Sequence, residues 1–189
     1  MLKDCVKYKR FVWELENTIK ANNFYDSVVI LCIGTSLING DSFGPKVGTM
    51  LRKNLINNKK ITVIGDTRNS ITYNKIKYCK NYIDREYKNS LIIAIDAALS
   101  DKADIGKIFI HNRGLKYAES LKKENELIGN ISIKGVVGEN VNNSIENFKN
   151  LRNASKENIY LMSYLVSKGI AEVMNKKENN GKNIYKRKS

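Results

Sequence analysis

Residues 28–51 read VVILCIGTSLINGDSFGPKVGTML, and their order decides the fold class. The first six, rich in Val and Ile, predict a buried strand over about 27–33. A turn rich in Gly, Thr, Ser and Asn follows, with an acid, Asp41, between Gly40 and Gly44. Pro45, the only proline of the chain, then stands where a first helical turn tolerates it. Beyond it Val47, Met50, Leu51 and Leu55 recur at helical spacing. The segment is therefore a strand, an acid-bearing turn and a helix.

Outward from this unit the same alternation continues. A helix is expected over about 6–21, with Val12, Leu15 and Ile19 on one side. Strands are expected at 61–64, 91–95, 106–111 and 131–137, and helices at 71–88 and about 155–175. The strand at 91–95 also ends on an acid, Asp96. Strands alternating with helices predict an α/β layer sandwich with a mostly parallel sheet. Sites in such sheets form at the carboxyl ends of strands, where Asp41 and Asp96 are both expected.

The chain has 189 residues, enough for one sizeable core, so residues 1–175 are expected to form a single α/β domain. No apolar run reaches the ~18 residues of a membrane span, so no membrane partner is expected. The N-terminus, MLKDCVKYKR, lacks the basic-then-apolar order of a signal peptide. Cys5, Cys32 and Cys79 lack metal-ligand spacing, and three cannot all pair; reduced thiols in a cytoplasm follow. Of the formal charge of +14, the tail KKENNGKNIYKRKS (176–189) carries +5, and it is too poor in apolar residues to be expected to fold. The remaining lysines are spread among asparagines, with no zinc-finger spacing, helix-turn-helix pattern or clear aromatic RNA-binding signature. Specific nucleic-acid recognition is therefore not expected.

The chemistry rests on the two acids. Each could simply cap a turn, because a carboxylate accepts backbone N–H bonds. Brought close, they would split their pKa values, leaving one protonated and one ionised. That division supplies an acid and a base to activate water, or two hard ligands for a divalent metal. His111, the only histidine, is a candidate third metal ligand or general base, against the plainer reading of a strand-end side chain. Neither a P-loop nor G-x-G-x-x-G is present, so no nucleotide is expected. Gly34, Thr35, Ser36, Gly40 and Ser42 of the loop, with Arg113 after the fourth strand, are the candidate substrate contacts. The loop N–H groups are expected to face a developing oxyanion.

The stretch CIGTSLINGDSFGPKVGTML resembles the signature of the YyaC sporulation-protein family, relatives of the germination protease, and IAIDAALS resembles that family's second motif. VVGENVNNSIENFKNLRNASKENIYLMSYLVSKGIAEVM is similar to its C-terminal part. The resemblance implies a three-layer α/β/α fold like that of hydrogenase maturation endopeptidases, a peptide or protein substrate, and a cytoplasmic protein of sporulating cells. It implies catalytic roles for Asp41 and Asp96. In the hydrogenase peptidases, acids at similar positions help hold nickel, which keeps a divalent metal as the alternative to a cofactor-free enzyme. The chain departs from the family pattern at Ser36-Leu37, where Asp-Arg is usual, and in IGDTRNSITYNK and YAESLKKE, which lack the usual Pro, His and Gly. Three readings therefore stand: a paired-aspartate peptide hydrolase, an inactive binding or assembly factor of the same fold, and a metal-dependent maturation peptidase. A homo-oligomer is compatible with each.

Overall fold

The computed structural model of the chain describes residues 2–22, 25–55, 58–117 and 126–179. Its helices are α1 (Leu2–Ala21), α2 (Phe43–Asn54), α3 (Tyr73–Glu86), α4 (Ser144–Arg152) and α5 (Lys156–Asn179). Its strands are β1 (Ser27–Cys32), β2 (Ile61–Ile64), β3 (Ser90–Ser100), β4 (Ile108–His111), β5 (Leu115–Lys116), β6 (Leu127–Ile128) and β7 (Ile131–Glu139). Five strands form one sheet in the order β2-β1-β3-β7-β4; β5 and β6 pair as a separate hairpin. The first four of the sheet run parallel, and β4 closes the edge antiparallel to β7.

Helices cover both faces, which is why β1 is apolar on both sides and buried from Val28 to Cys32. On one face Val28, Ile30 and Cys32 pack with Phe11 and Leu15 of α1, Val47 and Leu51 of α2, and Val166 and Ile170 of α5. On the other, Val29 and Leu31 pack with Ile76, Cys79 and Ile83 of α3 and with Leu115 and Ile128 of the hairpin. The result is a three-layer α/β/α sandwich. Close approach between layers depends on small residues. A Cβ at Gly135 would lie 2.7 Å from the buried Phe43 ring, and one at Gly169 2.6 Å from the Phe11 ring. No helix of the described residues is long and apolar enough to cross a membrane.

Several boundaries differ from expectation. The third strand runs on through Asp96 to Ser100, because β7 continues to pair with it past the end of β1. The fourth strand is antiparallel, which puts its last residue, His111, level with Ser132 near the start of β7. Helix α5 extends into the expected tail as far as Asn179; residues 180–189 lie outside the described residues, as do 118–125.

Candidate active site

The strand order reverses at β1: the chain goes to one side of it for β2 and to the other for β3. The crevice beyond the carboxyl ends of β1 and β3 is thus a topological switch point, the usual site position in open α/β sheets. Asp41 is there, and Asp96 borders it from within β3. β1 ends level with Ile95, so Asp96 is the first residue of β3 without a β1 neighbour. Asp41 sits in a single 3-10 turn (Gly40–Ser42) that follows the loop leaving β1 and leads directly into α2.

The loop is folded tightly onto that turn. The Thr35 N–H donates to both the backbone oxygen of Asp41, at 3.1 Å, and its carboxylate Oδ2, at 3.0 Å. Gly34 adopts φ +127°, and its N–H donates to the Ile71 carbonyl. A side chain at 34 would place Cβ 2.0 Å from the Asp41 carbonyl oxygen, so glycine is required for backbone to meet backbone. Gly40 is pressed against Leu151 of α4, and Ser42 is buried, its Oγ accepting from Lys46 Nζ at 2.7 Å and donating to the Asn39 carbonyl. Ser36 is exposed, with Oγ 3.4 Å from the Thr67 carbonyl. The N–H groups of Gly34 and Thr35 are therefore engaged within the chain.

Asp96 is crowded by protein and only partly exposed. Burial, and next the Asp41 charge, push its carboxyl up to about 7, against the pull of its own Ala97 N–H and of Lys134. Burial also raises Asp41, while the Thr35 N–H works the other way. The Asp41 charge thus bears on Asp96, and the two acids are differently supported, which favours the protonated form of Asp96. Lys134 pairs in register with Asp96 on the neighbouring strand, and among the described residues no carboxylate forms an ion pair with it. It was not anticipated from the sequence, although a lysine inside the apolar run ISIKGVVG is itself a signal. Asp66, equally unanticipated, ends up buried beyond β2. It accepts the Arg68 and Asn69 N–H groups, each at 2.8 Å, and meets Arg52 Nε at 2.8 Å. These contacts outweigh its burial and hold its pKa low, which marks a structural clamp between α2 and the loop after β2.

His111 and Arg113 are not brought to the acids. Because β4 runs antiparallel, it delivers both toward the opposite end of the sheet; burial and the charges of Lys134 and Arg113 lower the His111 pKa. Among the described residues no three His, Cys, Asp or Glu side chains converge to hold a metal ion.

A mostly parallel sheet with helices on both faces makes this an α/β three-layer protein. The chain is similar to the crystal structure of a NiFe hydrogenase maturation protease, HycI, from Thermococcus kodakarensis KOD1. The TM-score is 0.57 at 18% identity, over 85% of this chain and 98% of that one. Residues 2–169 match the profile of DUF1256, described as a protein of unknown function, and the chain belongs to that family. It is 29% identical over 144 residues to the uncharacterized protein YyaC of Bacillus subtilis (strain 168), a match covering 76% of this chain and 68% of YyaC.

Proposed function

We propose that the chain is a peptide hydrolase in which Asp41 and Asp96 share one proton. The reading is supported by the placement of Asp41 in the turn after β1 and of Asp96 where β1 ends, and by the Asp96 carboxyl raised toward neutrality by burial and by the Asp41 charge. In this mechanism ionised Asp41 takes a proton from water as its oxygen attacks the scissile carbonyl carbon. Asp96 gives its proton toward the substrate, and the bond to the leaving nitrogen breaks as that nitrogen is protonated. With the Gly34 and Thr35 N–H groups engaged elsewhere, the Lys134 ammonium is the positive charge beside the developing oxyanion. The likeness to a maturation protease supports the fold for this chemistry, and the YyaC resemblance is the basis for placing it in sporulating cells.

Incubation with a mixture of synthetic peptides, read by mass spectrometry, tests the proposal. Cleavage by the wild type that falls at least about 100-fold in both Asp41→Asn and Asp96→Asn is expected. Turnover unchanged in both variants would reject the mechanism. A stable partner complex with no turnover, unaffected by either substitution, would favour a binding factor instead.

A further inference from the structure

On the sheet face opposite α1, α2 and α5, helix α3 turns an unusual side to solvent. Its apolar stripe of Ile76, Cys79 and Ile83 is buried, while Tyr78 is 75% exposed and Tyr82, one turn on, 38% exposed. The two rings are four residues apart along one helix, about 6 Å by helical rise. Arg85 lies close enough for both tyrosines to affect its charge, and Tyr87 meets Tyr82 edge-on with centroids 6.0 Å apart. The acids of the helix, Asp84 and Glu86, are engaged with Lys80 and Arg85. Lys75 and Lys77 precede Tyr78 on the same helix, and among the described residues neither has an ion-pair partner. Exposed tyrosines here serve no core, and the cations beside them are left uncompensated in a chain of net charge +14.

We infer that this face of α3 binds single-stranded nucleic acid without sequence preference. Flat rings one turn apart accept unpaired bases, which a duplex keeps stacked internally, and the two lysines meet phosphates. The absence of a base-reading motif in the sequence agrees with sequence-tolerant binding. An acidic protein partner would use the lysines but would not need exposed rings spaced along a helix.

The test is fluorescence anisotropy of the full-length protein with a labelled 15-nucleotide oligo-dT, titrated between 50 and 200 mM salt. Binding that weakens with salt is expected. Tyr78→Ala and Tyr82→Ala should each weaken it about tenfold, with Tyr78→Phe close to wild type, because stacking needs the ring and not the hydroxyl. Lys75→Gln with Lys77→Gln should flatten the salt dependence. Phe148→Ala serves as the control: that ring is 51% exposed on α4, across the sheet and without a second ring one turn away, and its loss should change nothing. No binding at 50 mM salt overturns the inference. So does equal affinity of the Tyr78→Ala and Tyr82→Ala variants and the wild type, which would mean that dispersed lysines suffice.

Discussion

A carboxyl held protonated inside a fold must cost stability when it ionises, and Asp96 gives that cost a size and a sign. Its folded pKa is raised to about 7, from an ordinary value of 3.8. As pH climbs from about 4 to 7 the unfolded chain releases this proton while the folded chain keeps it, so stability falls across that window and levels off above it. At ~1.4 kcal/mol per unit, the loss is about 1.5 kcal/mol by pH 5 and about 4 kcal/mol by pH 8. Asn at this position cannot ionise, yet its side-chain oxygen can still accept the Ala97 N–H that Asp96 Oδ1 accepts at 2.8 Å. Replacing the acid also removes its repulsion of Asp41, which acts in the same direction. Urea denaturation of wild type and Asp96→Asn at pH 5 and 8 separates this effect from any constant cost of the amide. The variant should gain on the wild type by about 3 kcal/mol between the two pH values. A stability difference equal at pH 5 and pH 8 would mean that the Asp96 carboxyl is not raised in the folded chain.

Gly34→Ala should destabilise by at least about 2 kcal/mol, because positive φ and a Cβ 2.0 Å from the Asp41 carbonyl oxygen force the turn to move. Amide shifts at Thr35 and Asp41, with a urea melt, check it, and a stable variant with unmoved shifts counts against it. Asp66→Asn should lose about 1–2 kcal/mol at pH 7 through the Arg52 contact, discounted because Arg52 is half-exposed. That loss should vanish as pH falls through the lowered Asp66 pKa, since stability from a depressed acid is lost on protonation; acid titration of both proteins reads it. Nickel or zinc at millimolar level should shift Tm by less than about 1 °C, since three converging donors are absent among the described residues. A rise of several degrees that disappears in Asp41→Ala would contradict this.

The fold was legible wherever burial and periodicity coincide. Val28 to Cys32 and Leu91 to Ile95 are apolar because helices cover both faces, and Ile76, Cys79 and Ile83 recur because one side of α3 meets the sheet. Direction was not legible: nothing in 106–111 distinguishes a parallel strand from the antiparallel β4, and that one difference moves His111 and Arg113 away from the acids. Helix α4 escaped notice because it buries no residue fully and leaves Ile145 and Phe148 exposed, so it has no apolar stripe to read. The hairpin strands are two residues each, too short for any period. Of the candidate site, Asp41 and Asp96 were legible as acids that follow the apolar runs of β1 and β3, although β3 runs on past Asp96 to Ser100. Lys134 and Asp66 depend on register and on a loop contact, which only the folded chain reveals.

The pairing of Asp41 with Asp96 is tested most directly by carbon-13 NMR titration of the aspartate carboxyls between pH 4 and 9, in the wild type and in Asp41→Asn. The Asp96 carboxyl should titrate near pH 7 in the wild type and at lower pH once the Asp41 charge is gone, while remaining above the ordinary range because burial persists. An Asp96 carboxyl that titrates near the ordinary value of 3.8, or whose midpoint ignores Asp41→Asn, would contradict the paired-acid site.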